Sequence, residues 1–173
     1  MRDRRQLSRA GAPSLSLRAA RFEDVPRVLE LIEGAIDHGC QHHYDRAQRR
    51  AVYLGYASNL FVDALGPFET LVAEMDGRLA GVAQLDLDAG VLRALFVDPA
   101  IQGRGLGRAL LAAVEARARA AGCSRMRGAM SLNAVPFYER AGFHPRGGPA
   151  QLRSADVRVP VVWMEKHLAP LIT

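Results

Sequence analysis

The chain has 173 residues, room for one domain with a single sizeable core. Hydrophobic residues make up 49% and charged residues 24%, a balance that excludes a disordered or fibrous chain. The net charge of +5 is uneven: Arg2, Arg4, Arg5 and Arg9 against Asp3 leave the rest only mildly basic, and no basic patch interleaved with aromatics marks a nucleic-acid binder.

Two cysteines, Cys40 and Cys123, do not make a disulfide scaffold. The basic N-terminus is not followed by an apolar stretch, and no run approaches a membrane span, so no membrane partner is expected. A reduced cytoplasm is the expected location.

Residues 1–14 are polar and Arg-rich, with Gly11 and Pro13, and are expected to be a disordered lead to a domain at 15–173. Leu15 to Ala19 alternates and reads as a first strand. Asp24 can cap a helix that tolerates Pro26 in its first turn, and Val25, Val28, Leu29, Ile32, Ala35 and Ile36 mark its apolar face. A polar loop, 37–44, then leads to a less regular helix from about Asp45 to Ser58, closed by Gly66-Pro67. Glu69 to Met75 and Arg78 to Leu87 flank the two-residue hairpin signal Asp76-Gly77. After Asp88-Ala-Gly90 comes a fourth strand, Val91 to Val97, stopped by Asp98-Pro99.

The next stretch carries the chemistry. Leu106, Leu110, Ala113 and Val114 have helical spacing, and Gly122 sits where a helix end takes a left-handed residue. Between strand and helix lie Gln102, Gly103, Arg104, Gly105, Leu106 and Gly107, followed by Arg108. Glycines let the backbone approach a ligand and turn its amides toward one point. The helix adds its unpaired first-turn amides and the positive end of its dipole, with no Asp or Glu there to satisfy them. This is a place for a diphosphate. No Lys precedes a Ser or Thr as a Walker loop needs, and the third glycine of a dinucleotide fingerprint is missing.

Beyond that helix, Ser124 to Met130 reads as a fifth strand, parallel to the fourth. Asn133 caps a short helix that ends at Gly142, Phe143 begins a strand, and Val157, Val159, Val161 and Trp163 alternate in the last one. Pro160 marks a bulge or an edge.

Gln-x-x-Gly-x-Gly after a strand ending Val-Asp-Pro resembles the acetyl-CoA motif of the GCN5-related N-acetyltransferases (GNAT family). So does Asn133-Ala-Val-Pro-Phe137-Tyr138-Glu-Arg-Ala-Gly142-Phe143, which keeps the family's Asn, Phe-Tyr and Gly-Phe but carries Pro136 in place of commoner spacing residues. The resemblance covers about residues 15–168. It implies an α/β fold with a mixed, mostly antiparallel central sheet, a splayed parallel pair of fourth and fifth strands, and flanking helices. It also implies transfer of acetyl from acetyl-CoA to a primary amine by direct attack.

On that resemblance the amides from Gly103 to Arg108 bind the pyrophosphate, and the edge of the fourth strand at Leu95, Phe96 and Val97 pairs with the pantetheine arm. The Val97 amide faces the developing oxyanion, Asn133 reaches the pantetheine or simply caps its helix, and Tyr138 is the general acid. The fourth-strand Glu used as base by many members is missing. Asp86 and Asp88 are the nearest carboxylates, Asp86 being the base candidate, and both also read as plain turn residues. An alternative is an acyl-CoA-binding regulatory module without efficient turnover. His42, His43 and Tyr44 would lie on the acceptor wall. The loop's His38, Cys40, His42, His43 and Asp45 match no zinc spacing, so no metal is expected. Arg125 and Arg127 favour an acidic acceptor if their face meets the cleft, and reach solvent if it does not. The Trp163 strand leaves room for a homodimer.

Overall fold

Period-two alternation in the central strands sorts side chains onto two faces of one sheet. A computed structural model describes residues 14–59, 68–154 and 156–169. In β2 (Glu69–Met75), Leu71 and Ala73 join one core and Val72 the other; in β3 (Arg78–Asp86), Ala83 and Leu85 oppose Val82 in the same way. Helices α1 (Val25–Gly39) and α2 (Arg46–Asn59) cover the Val72 and Val82 face, with Val28, Leu31, Ile32 and Ile36 buried. On the opposite face lie α3 (Leu106–Ala120), through Leu106, Leu110, Leu111, Val114 and Ala118, and the short α4 (Val135–Arg140), through Tyr138.

The sheet runs β1-β2-β3-β4-β5-β8-β6, with β7 also on β8. Here β1 is Leu15–Ala19, β4 Val91–Val97, β5 Arg125–Ser131, β6 His144–Pro145, β7 Ala150–Ser154 and β8 Val157–His167. Every pair is antiparallel except β4–β5. The expected hairpin is present: Asp76 and Gly77 both have positive φ, 52° and 76°, as a type I′ turn requires. Gly122 follows α3 with φ 82°, and the Cys123 amide returns to the Ala118 carbonyl, closing the helix in a left-handed stop.

An ion-pair group ties α3 to the last strand. Glu115, only 7% exposed, holds Lys166 Nζ at 2.6 Å and Arg119 at 3.0 Å.

Several expectations need correcting. Asp24 occupies the N-cap position of α1 but makes no cap bond there. Its carboxylate instead takes the Arg21 amide at 2.7 Å and two bonds from Arg18, because a 3-10 turn, Phe22–Asp24, precedes the helix. Asn133 is not a cap either: it lies inside a second 3-10 turn, Leu132–Ala134, and Ala134 precedes α4. The strand expected at Phe143 begins at His144, and β7 is an additional strand. The outer edge of β8 is occupied, by β7 over Val157–Val161 and by β6 at Met164 and Glu165, while Arg146 donates its amide to the Trp163 carbonyl at 2.7 Å. The Trp163 strand is therefore not open for pairing with a second copy. Residues 1–13, the expected close at Gly66-Pro67 and the final 170–173 lie outside the described residues. Among the described residues, no helix is long and apolar enough to cross a membrane.

Candidate active site

Strands β4 and β5 meet at one register position, Val91 opposite Arg127, and part beyond it. A bulge turns β4 away, and a glycine on β5 admits the last close contact before the gap. On the β3 side, Gln84 faces Ala94 and Leu85 faces Leu92, so Arg93 is an extra residue and β4 bulges there. Tyr56 Oη donates to the bulged Arg93 carbonyl at 3.1 Å. On the β5 side, Gly128 sits so close that a Cβ there would lie 2.8 Å from the Leu92 carbonyl.

Beyond the bulge the backbone alternation decides what the gap contains. The Asp98 amide bonds the Ala80 carbonyl, one step past the Gly81–Val97 pair. Antiparallel alternation then turns the N–H and C=O groups of Val97 and Leu95 away from β3 and into the space left by β5. Gln102 confirms the direction: its Nε2 donates to the Val97 carbonyl at 3.3 Å. Leu95, Phe96 and Val97 are all half-buried along this edge.

At the end of β4 a 3-10 turn, Pro99–Ile101, leads into Gln102, Gly103, Arg104 and Gly105. Gly103 and Gly105 have φ of 82° and 79°, a region where a side chain is strained. Gly105 is the N-cap of α3 and offers no side chain to its first-turn amides, and that turn contains no acid. Gln102, Arg104 and Arg108 are exposed around it, Leu106 anchors the turn in the core, and Gly107 faces the ring of Phe137. Strand edge and turn thus form one continuous donor-rich strip.

A cleft of about 520 Å³ opens from the gap toward α1, α2, β7 and β8. Tyr138 lines it. Its ring packs edge-on against Phe137 and Phe143, with centroids 5.1 and 5.4 Å away, and burial pushes its phenol above the ordinary range, with Tyr56 adding in the same direction. No hydrogen bond to its hydroxyl is present among the described residues, so it is free to serve the cleft. Tyr56 also lines the cleft, and burial pushes its phenol up to about 12.

A family comparison identifies the architecture. A model of the acetyltransferase (GNAT) domain matches residues 57–168, most of the chain. The chain belongs to the GNAT acetyltransferase family. It is 33% identical over 135 residues to an amino-acid acetyltransferase of Azotobacter vinelandii, an alignment covering 76% of this chain and 28% of the relative; the chain thus spans under a third of that protein. Among solved structures it resembles a GCN5-related N-acetyltransferase from Rhodopseudomonas palustris, with TM-score 0.82, 24% identity, and 88% and 95% of the two chains covered. It also resembles the PaiA N-acetyltransferase of Thermoplasma acidophilum in complex with coenzyme A, with TM-score 0.74, 21% identity, and 89% and 99% covered.

In this GNAT domain the expected acceptor-side residues fare unevenly. Tyr44 is on the cleft wall, but its hydroxyl is engaged structurally: it donates to the Pro160 carbonyl at 2.6 Å and accepts the Leu132 amide at 2.9 Å. His42 and His43 are exposed and stand outside the cleft, because the turn after Cys40 points them outward. Asp86 ends β3 and its Oδ1 accepts the Ala89 amide at 3.0 Å, the role of a turn residue. No Asp or Glu is among the described residues lining the cleft. Arg125 and Arg127 are exposed away from it, Arg125 beside Glu165 at 3.8 Å. Among the described residues no three His, Cys, Asp or Glu side chains gather as a metal site would require.

Tyr56, Arg93 and Arg153 were not singled out from the sequence, and Cys40 only among the loop residues weighed against zinc spacing, yet all four line the cleft. Cys40 Sγ donates to Asn133 Oδ1 at 3.2 Å, and burial pushes its thiol up to about 11. Arg93 is a lone cation inside the apolar run Val91–Val97, and the bulge there is visible only in the pairing with β3.

Proposed function

We propose that the chain transfers an acetyl group from acetyl-CoA to a primary amine within a ternary complex. The observation that carries this is the strip formed by the outward-turned Leu95 and Val97 backbone and the Gly103–Arg108 turn, with Tyr138 on the cleft that Leu95 also lines. The turn suits a diphosphate, because its amides are uncapped and Arg104 and Arg108 flank them. The strand edge suits an amide-bearing arm, which adds to β4 as a short extra strand where β5 has turned away. Asn133, held by Cys40, positions the turn between β5 and α4.

Acetyl-CoA supplies the activated acyl carbon. As the amine nitrogen bonds that carbon and the carbon–sulfur bond breaks, the Tyr138 hydroxyl gives its proton to sulfur and recovers one from solvent, into which the amine's surplus proton passes. Burial holds the phenol protonated beforehand, and the same dry surroundings raise the proton affinity of the departing sulfur. The Val97 amide, turned into the gap, is the donor for the acyl oxygen.

Titration of the full chain with CoA in a calorimeter tests the first half of this reading, and CoA-thiol release with an amine panel tests the second. Binding in the micromolar range, about −8 kcal/mol, is expected, together with amine-dependent release. No heat with any CoA species would sink the reading. Binding without release on any amine would favour the second one, an acyl-CoA-binding module, which the lack of a carboxylate among the described cleft residues motivates. The cytoplasm is the proposed location.

A further inference from the structure

Beyond the Val91–Arg127 position, β4 and β5 have no shared ladder to fix how far apart they stand. On the cleft face α2 crosses between the two halves of the sheet. Its first turns are tied to the β5 half. Gln48 Nε2 donates to the Arg158 carbonyl of β8 at 3.1 Å, and Ser154 Oγ of β7 donates to the Ala51 carbonyl at 3.0 Å. Its last turns reach the β4 half through Tyr56, which lines the cleft.

Tyr56 touches β4 at two points, one on either side of Leu95. Its hydroxyl donates to the Arg93 carbonyl at 3.1 Å, and its ring stands edge-on to Phe96, with centroids 5.0 Å apart and planes at 86°. A bulge leaves its extra residue outside the ladder, so the backbone groups there need other partners. At Arg93 the Tyr56 hydroxyl serves the carbonyl, while the guanidinium lies over the Phe68 ring, 4.3 Å from its centroid. Burial pushes the Tyr56 phenol up to about 12, so the donor keeps its proton at neutral pH. What the bulge decides is parity. With Arg93 out of the ladder, Ala94 and Phe96 bond toward β3, and Leu95 and Val97 turn their backbone groups into the gap. A slip of one residue would exchange these groups for those of Ala94 and Phe96.

We infer that Tyr56 is a positioning residue of the transfer reaction: by holding the Arg93 carbonyl and the Phe96 ring, it fixes the β4 edge at Leu95 and Val97, where the pantetheine arm and the acyl oxygen are held. The inference rests on the acetyl-transfer reading above. It gives a helix on the acceptor side a part in aligning the cofactor. Tyr56 acts through the strand, so its loss should be felt by the arm and the acyl group and not by the diphosphate turn, which lies beyond Pro99.

The test uses the full chain and Tyr56→Phe, which keeps the ring and removes the hydroxyl. Both are titrated calorimetrically with CoA and with phospho-ADP, the nucleotide half of CoA without its pantetheine arm. Tyr56→Phe should weaken CoA by about fivefold, the worth of one neutral hydrogen bond, and change phospho-ADP by less than about twofold. Single-turnover transfer to the best amine of the panel should slow by about tenfold or more, with KM for that amine moving less than about threefold, because the Val97 donor is misplaced for the transition state. Phe96→Leu keeps the hydroxyl bond and loses the ring contact. It should show the same split between CoA and phospho-ADP at smaller size, and it decides the matter if Tyr56→Phe does not fold. Wild-type CoA binding and turnover in Tyr56→Phe would overturn the inference. Losses as large for phospho-ADP as for CoA would overturn it too, since they mark a general loosening of the fold. If no amine turns over with the unaltered chain, the binding split alone decides. CoA binding and transfer by the unaltered chain without any split in the variants removes only the role of Tyr56, whereas no CoA binding by the unaltered chain removes the acetyl-transfer reading and that role with it.

Discussion

Tyr138 is the residue whose environment most directly predicts a measurement. Its phenol is buried, enclosed by Phe137 and Phe143, and raised above its ordinary range, so it stays protonated wherever the protein is normally assayed. The pH profile of turnover should therefore climb as the acceptor amine deprotonates, with no falling limb below about pH 10. Tyr138→Phe should lower kcat by about a hundredfold or more while changing the CoA dissociation constant by less than about threefold, as single-turnover kinetics and calorimetry would show. Cys40 makes a separate prediction about stability. Its thiol is raised from 9.0 to about 11, so its favourable burial is complete below pH 9 and is lost as pH rises through the folded value. Denaturant midpoints should fall between pH 9 and 11, and Cys40→Ala should flatten that fall by about 2 kcal/mol. The place of Tyr138 on the cleft was expected from the family resemblance, through Phe137-Tyr138 on the short helix and Gly142-Phe143 just after it. That of Cys40 was not, because its partner Asn133 lies in a distant turn and no local pattern links them.

At the level of elements, the strand–turn–helix from Val91 to Gly122 could be read almost residue by residue. Its glycines, its apolar spacing and its stop signals are all local, and the positive φ at Gly103, Gly105 and Gly122 bears them out. Gly105→Ala should strain the N-cap of α3 by about 1 kcal/mol, and it should also weaken CoA binding if the turn holds the diphosphate as proposed. A thermal shift with and without CoA separates the two effects. The parting of β4 and β5 was expected only from the family resemblance. Its local cause, the Arg93 bulge, and the close contact at Gly128 that precedes the gap both depend on pairing across strands, which periodicity within one strand does not encode. The same limit applies to β8, whose alternation showed a strand but not that β6 and β7 would cover its outer edge.

Across the whole molecule, two helical layers are held to one sheet by different means. The α3 layer adds a buried charge group to its apolar contacts, and Glu115→Ala leaves Lys166 without its partner at 2.6 Å. That change should cost about 3 kcal/mol, read from urea midpoints at neutral pH, and Glu115→Gln should cost less. The α1–α2 layer is held instead by the Tyr44 hydroxyl, bonded at once to the β8 carbonyl of Pro160 and to the amide of Leu132 that leads into α4. Neither bond had a sequence signal, since Tyr44 stands 88 residues from one partner and 116 from the other. With the Cys40–Asn133 bond, the Tyr44 hydroxyl ties the connection between α1 and α2 to the far end of the sheet. Gly55 on α2 and the exposed Leu152 on β7 line the same cleft, so bulkier side chains at those two positions would narrow it without touching those bonds.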